Sequence, residues 1–183
     1  MITNEIAKKY TLTSLLFVFL ITPLSPVYSD HCLAAESSQR DMVSITISAA
    51  GDCTFGSDRS SPASVNFYSV YRRKKDPGYF FKRVKKIFAK DDMTLVNFEG
   101  TLTKRDTRAP KRFAFKGSPG YVKILKKGSV EAVSFANNHC RDFGEGSYRD
   151  TIHYLDQAGV TYSSYSKVSV YKIRGKKIGM IAV

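Results

Sequence analysis

Residues 133–144, which read Val-Ser-Phe-Ala-Asn-Asn-His-Cys-Arg-Asp-Phe-Gly, constrain this chain more than any other stretch. A short strand-like apolar run opens without transition into Asn137, Asn138, His139, Asp142 and Gly144. Two amides, an imidazole and a carboxylate at the end of a buried strand are ligand-grade groups at the edge of a sheet. In open α/β sheets, sites are built at that end. Two further stretches have the same form, Ala49-Ala50-Gly51-Asp52 and Leu95-Val96-Asn97-Phe98-Glu99-Gly100.

The rest of the chain alternates strand-like and helix-like segments. Met42–Ala50 sets Val43, Ile45 and Ile47 alternately with Ser and Thr, a strand pattern that ends in a turn over Gly51–Gly56. Asp76 as cap and Pro77 at the first helical position predict a helix. Its apolar face carries Phe80, Phe81, Val84, Ile87 and Phe88, and its cationic face runs from Lys82 to Lys90. Met93–Phe98 is a second strand, Arg112–Lys116 a short one and Glu131–Ala136 a third. Ser118-Pro119 opens a helix over Tyr121–Lys127, and Gly144–Ala158 forms another with Tyr148, Ile152 and Leu155 inward. Strands follow at Val160–Ser163, Lys167–Ile173 and Lys177–Val183, while Asn66–Tyr71 fits neither pattern. Such alternation predicts an α/β fold with a largely parallel central sheet. The last segment is apolar to Val183, which reads as a domain incomplete at its C-terminus.

At 183 residues the chain can bury one real core. Its net charge of +13 favours polyanionic partners: nucleic acid, anionic headgroups or acidic polymers. A solvated basic surface is the plain alternative. Lys8 and Lys9, the apolar run Leu12–Ile21 and small residues near Ser29 and Ala34 read as a signal peptide or N-terminal membrane anchor over residues 1–35. Export sets nucleic acid aside, so the protein is expected to be extracytoplasmic, secreted or anchored to the cytoplasmic membrane. Residues 42–183 then form the mature domain. Of three cysteines, Cys53 and Cys140 follow Asp52 and His139, and either pair with each other or sit as small residues in tight loops.

Asp52, Glu99, Asn138 and His139 together are a donor set for a divalent cation: Mg²⁺ or Mn²⁺ for oxygen ligands, Zn²⁺ or Fe once imidazole joins. Such a site could clamp a phosphoryl group, with a histidine protonating the leaving group. Against this, Asp52 could cap a turn, Glu99 could be an exposed loop carboxylate and Asn137 could shape its own loop. Asp142 could order that loop or cap the helix from Gly144.

The set Gly51-Asp52-x-x-x-Gly56, Asn97-Phe98-Glu99-Gly100-Thr101-Leu102-Thr103 and Ala136-Asn137-Asn138-His139-x-x-Asp142-x-Gly144 resembles the CapA family of capsule or poly-γ-glutamate biosynthesis proteins. That family is a branch of the calcineurin-like metallophosphoesterases. Phe113-Ala114-Phe115-Lys116-Gly117 resembles its Phe-rich segment. The resemblance implies a partial calcineurin-like metallophosphatase sandwich, the N-terminal part of the fold. It implies Asp52, Glu99 and Asn138 as metal ligands, His139 as the acid, and Asn97, Asn137 and Asp142 as the groups that order them. The family's Gly-His-His-x-His segment has no counterpart here, since the histidines are His31, His139 and His153. Implied partners are an acidic polymer such as poly-γ-glutamate and membrane-bound synthase subunits. A non-catalytic polymer-binding protein and an inactive truncated remnant are the alternatives.

Overall fold

A computed structural model describes residues 42–183, so the leader read at residues 1–35 lies outside the described residues. The strands are β1 (Ile47–Thr54), β2 (Met93–Glu99), β3 (Thr101–Leu102), β4 (Lys116–Gly117), β5 (Ala132–Phe135), β6 (Thr161–Ser164), β7 (Ser169–Ile173) and β8 (Lys176–Met180). The helices are α1 (Phe67–Lys74), α2 (Lys85–Phe88), α3 (Val122–Lys127) and α4 (Gly144–Gln157), with 3-10 turns at Pro77–Phe81 and Pro119–Tyr121. Four strands form a wholly parallel sheet in the order β1-β2-β5-β6, as the α/β pattern predicts. Among the described residues no helix is long and apolar enough to cross a membrane.

The two faces of this sheet differ. On one, Val96, Phe98, Val133 and Phe135 alternate inward with α3 and α4 against them, in a core that also takes Phe55, Phe81, Leu125 and Leu155. Phe98 and Phe135 are fully buried, each worth roughly 2–3 kcal/mol of transfer free energy. On the other face, Met93, Ala132, Ile173 and Met180 form a small second cluster where the antiparallel β7–β8 hairpin packs. That hairpin turns through Arg174 and Gly175, both at positive φ. The sheet's second face is thus covered near the starts of β2 and β5.

Several segments depart from the sequence pattern: the strand expected over Arg112–Lys116 is reduced to β4 at Lys116–Gly117, and two others change type. Asn66–Tyr71 resolves into α1, started by Asn66, whose side chain accepts from the Ser69 N–H at 2.9 Å. The helix expected after Pro77 does begin there, with Asp76 accepting from the Gly78 N–H at 2.8 Å, but it breaks into a 3-10 turn and the short α2. Adjacent aromatics are the reason. Phe80 stacks on Phe67 of α1 at 4.5 Å, while Phe81 meets Phe55 and Phe88 in the core. Consecutive side chains anchored in different places override the local helical preference.

Candidate functional site

A bulge builds the site. Along β1, Ala49 pairs with Leu95 and Ala50 with Val96, but the next partner of Asn97 is Asp52, so Gly51 is skipped. Strict alternation would turn Asp52 toward the helices. The extra residue turns it to the face that carries Asn97 and Glu99, and sends Cys53 toward the core. The turn expected at Gly51–Gly56 is therefore strand through Thr54, and Asp52 lies inside β1. Its Oδ1 accepts from Asn97 Nδ2 at 2.7 Å. One step further along, Thr54 Oγ1 lies 3.5 Å from Glu99 Oε2. Asp52 and Glu99 stand on one face, beyond the part that the hairpin covers.

The loop after β5 is tied to the same point. Asn137 Nδ2 donates to Asn97 Oδ1 at 3.1 Å and to the Phe98 carbonyl at 2.9 Å, while its own Oδ1 accepts from the His139 N–H at 3.0 Å. Asn137 thus shapes its loop, as one of the alternatives held, and joins β2 to that loop in doing so. His139 Nδ1 meets Asp142 Oδ2 at 2.8 Å, and Phe115 packs against the imidazole with ring centres 4.6 Å apart. Asp142 does not cap α4, since no side chain bonds that helix's first amides. It orders the loop instead, fully buried, accepting from the Phe115 N–H at 2.6 Å and from Lys111 Nζ at 2.6 Å.

Lys111 was not foreseen. Its ammonium also donates to the Asn138 carbonyl at 2.6 Å and lies 3.4 Å from His139 Nδ1. Nothing around Ala109-Pro110-Lys111 signals this, because the partners are about thirty positions away. Arg108 is held in the same manner by Asp58, whose Oδ2 it meets at 2.9 Å and which also accepts from the Ala114 N–H. Two cations of the basic loop 104–112 therefore face inward onto buried carboxylates.

The donors present suit a hard divalent cation in kind: two carboxylates and an exposed amide. Among the described residues, no three His, Cys, Asp or Glu side chains converge closely enough to hold a metal ion, so the set is thin in number. Cys53 and Cys140 are free thiols, which removes the pairing alternative in this structure. Burial, and secondarily the Asp52 charge, pushes the Cys53 thiol up to about 11, so it is neither a nucleophile nor a ready ligand. A cleft of about 580 Å³ opens elsewhere, lined by Asp58, Arg59, Lys104, Lys116, Tyr121 and Phe143 among others, and not by the four candidate site residues.

With this geometry in view, comparison with known proteins is decisive at family level. The family described as Bacterial capsule synthesis protein PGA_cap matches residues 46–183. The chain belongs to that family. The chain is similar to the "PGA biosynthesis protein CapA" of Bacillus subtilis (strain 168), 27% identical over 170 residues, which covers 87% of this chain and 39% of the relative. The "Capsule biosynthesis protein CapA" of Bacillus anthracis is 26% identical over 132 residues, covering 70% of this chain and 30% of the relative. The chain thus spans no more than about two fifths of the length of the curated relatives it matches. Bulge, Asn97–Asn137 tie and His139–Asp142 pair all lie within the PGA_cap match.

Proposed function

We propose that this protein works outside the cytoplasm in the synthesis of an anionic capsule polymer, through a metallophosphoesterase-type site that hydrolyses or handles a phosphate- or amide-linked substrate. One observation carries the reading. Asp52 and Glu99 rise from the same uncovered face of adjacent parallel strands, and Asn97 and Asn137 tie them to the loop of Asn138 and His139. In this reading Asp52, Glu99 and Asn138 hold a divalent cation, for which oxygen donors favour Mg²⁺ or Mn²⁺ over Zn²⁺ or Fe. When bound, such an ion polarises a phosphoryl oxygen and lowers the pKa of a water.

The chain's own groups do the rest. With Nδ1 engaged by Asp142, the nitrogen of His139 left to hand over a proton is Nε2. Asp142 and the Phe115 ring fix the imidazole plane, and Asn97 and Asn137 keep loop and strand in register. Proposed partners are poly-γ-glutamate or a similar acidic polymer and the membrane-bound synthase subunits that make it. Elemental analysis of the purified chain, of Asp52→Asn and of Glu99→Gln tests the ligand set. Bound Mn, Mg, Zn or Fe in the parent and its loss from both variants is expected. Metal retained undiminished in both variants would sink the ligand assignment.

A second reading, polymer binding without turnover, is favoured by the cleft with Arg59, Lys104 and Lys116 on its walls. Lys116 is paired with the exposed Asp106, which leaves Arg59 and Lys104 as its free cations among the described residues. Metal-independent binding of poly-γ-glutamate, weakened by salt and by Lys104→Glu, would select it.

A further inference from the structure

A different surface, on the connection between β1 and β2, has a chemistry that neither reading above uses. Between Arg72 and Lys90 there are nine lysine and arginine side chains, all exposed, against one carboxylate, Asp76. Asp76 is turned to the backbone, where it caps Gly78 at 2.8 Å. Among the described residues, none of the nine forms an ion pair. The end of α1 and the turn after Phe81 form one patch, because Lys74 and Lys82 both lie over the Tyr79 ring, at 4.7 and 4.6 Å.

Apolar side chains stand among these charges. Ile87 is 63% exposed and Val84 37%, although Phe81 and Phe88 beside them are buried. Shallow hollows flank both, one lined by Tyr79, Phe80, Lys82, Arg83 and Val84, the other by Thr46, Ser48, Lys86, Ile87, Lys90 and Asp91. A solvated basic face accounts for the charges but not for Val84 and Ile87 set together among them. A flexible acidic polymer would neutralise the lysines and leave Ile87 in water. A membrane surface meets both needs, with anionic headgroups for the cations and the acyl boundary for the apolar side chains.

We propose that the face from Arg72 to Lys90 docks on an anionic lipid surface, with Val84 and Ile87 entering the headgroup layer. The chain has no tryptophan, so Ile87→Trp in the full chain is a sole reporter placed at this face. It reads local insertion whatever residues 1–35 do. On mixed phosphatidylglycerol–phosphatidylcholine vesicles its emission should shift to the blue and be quenched by acyl-brominated lipid. High salt, or Lys85→Glu with Lys86→Glu, should weaken the effect at least tenfold. Val84→Trp is a second reporter at the same face, and Val170→Trp on β7, 54% exposed, should stay unshifted. The proposal is overturned if neither reporter shifts, if pure phosphatidylcholine or Val170→Trp gives the same shift, or if charge reversal changes nothing. It is likewise overturned if poly-γ-glutamate shifts both reporters while brominated vesicles do not quench them, which would assign the face to a soluble polymer.

Discussion

Two buried carboxylates, Asp58 and Asp142, hold one loop, and each does so with a side-chain cation and a backbone amide. Asp58 takes Arg108 and the Ala114 N–H; Asp142 takes Lys111 and the Phe115 N–H. Removing one partner of such a pair leaves the other charge stranded. Asp142→Ala should therefore cost about 3–5 kcal/mol in urea denaturation, and adding Lys111→Met should restore part of it. Asp58 carries a pH signature. Donation from the Ser60 and Ala114 amides, then from Arg108, holds its carboxyl well below the usual carboxylate range. Its stabilisation is full above the ordinary value of 3.8 and drains away only as pH falls toward the lower folded value. Asp58→Asn should thus lose about 2 kcal/mol at pH 7, with the gap to the parent narrowing as unfolding is measured below pH 3.8. Cys53, held up near 11, should react with iodoacetamide at pH 8 roughly a hundredfold more slowly than an exposed thiol.

At the scale of elements, glycines decide how close backbones come. A Cβ on Gly117 would sit 2.0 Å from the Phe55 carbonyl oxygen, and one on Gly56 2.5 Å from the Lys116 carbonyl. The loop after β1 is thereby pressed against β4, and no side chain fits between them. Gly117→Ala should cost about 3 kcal/mol in thermal denaturation, whereas Gly51→Ala, with open space around it, should stay within about 0.5 kcal/mol. The contrast also marks what the sequence could disclose. β2, β5 and α4 were legible because alternation or helical spacing runs uninterrupted through Val96, Phe98, Val133, Phe135, Tyr148 and Leu155, and α3 because Gly128 closes it. The facing of Asp52 was not, because it turns on a bulge at Gly51 that no local pattern announces. The single helix expected after Pro77 is broken in two, since the spacing of Phe80 and Phe81 is compatible with a helix but their anchors are not. Residues joined across the fold, Lys111 above all, leave no periodic trace. The motif residues Asn97, Asn137, His139 and Asp142 were legible as a set, and their hydrogen bonds give each a position.

Across the whole molecule, charge and sheet topology pull in opposite directions. β1 is the outer strand of the parallel sheet, with no strand on its free side among the described residues. Val43–Ala50 carries no charged residue and no proline, and Ile47, Ala49 and Ala50 are exposed. An uncharged, exposed outer strand is a template for pairing with another copy. The net charge of +13 opposes that approach through like-charge repulsion over about a Debye length, near 10 Å at 0.1 M salt. Raising ionic strength should therefore increase self-association while it weakens every contact with polyanions or anionic lipid. Light scattering across a salt series should show mass rising with salt, and Ala49→Lys together with Ala50→Lys should abolish the rise by placing cations on both faces of the strand. If mass falls with salt in the parent, or rises equally in the double variant, the copies meet through the charged faces and not through β1.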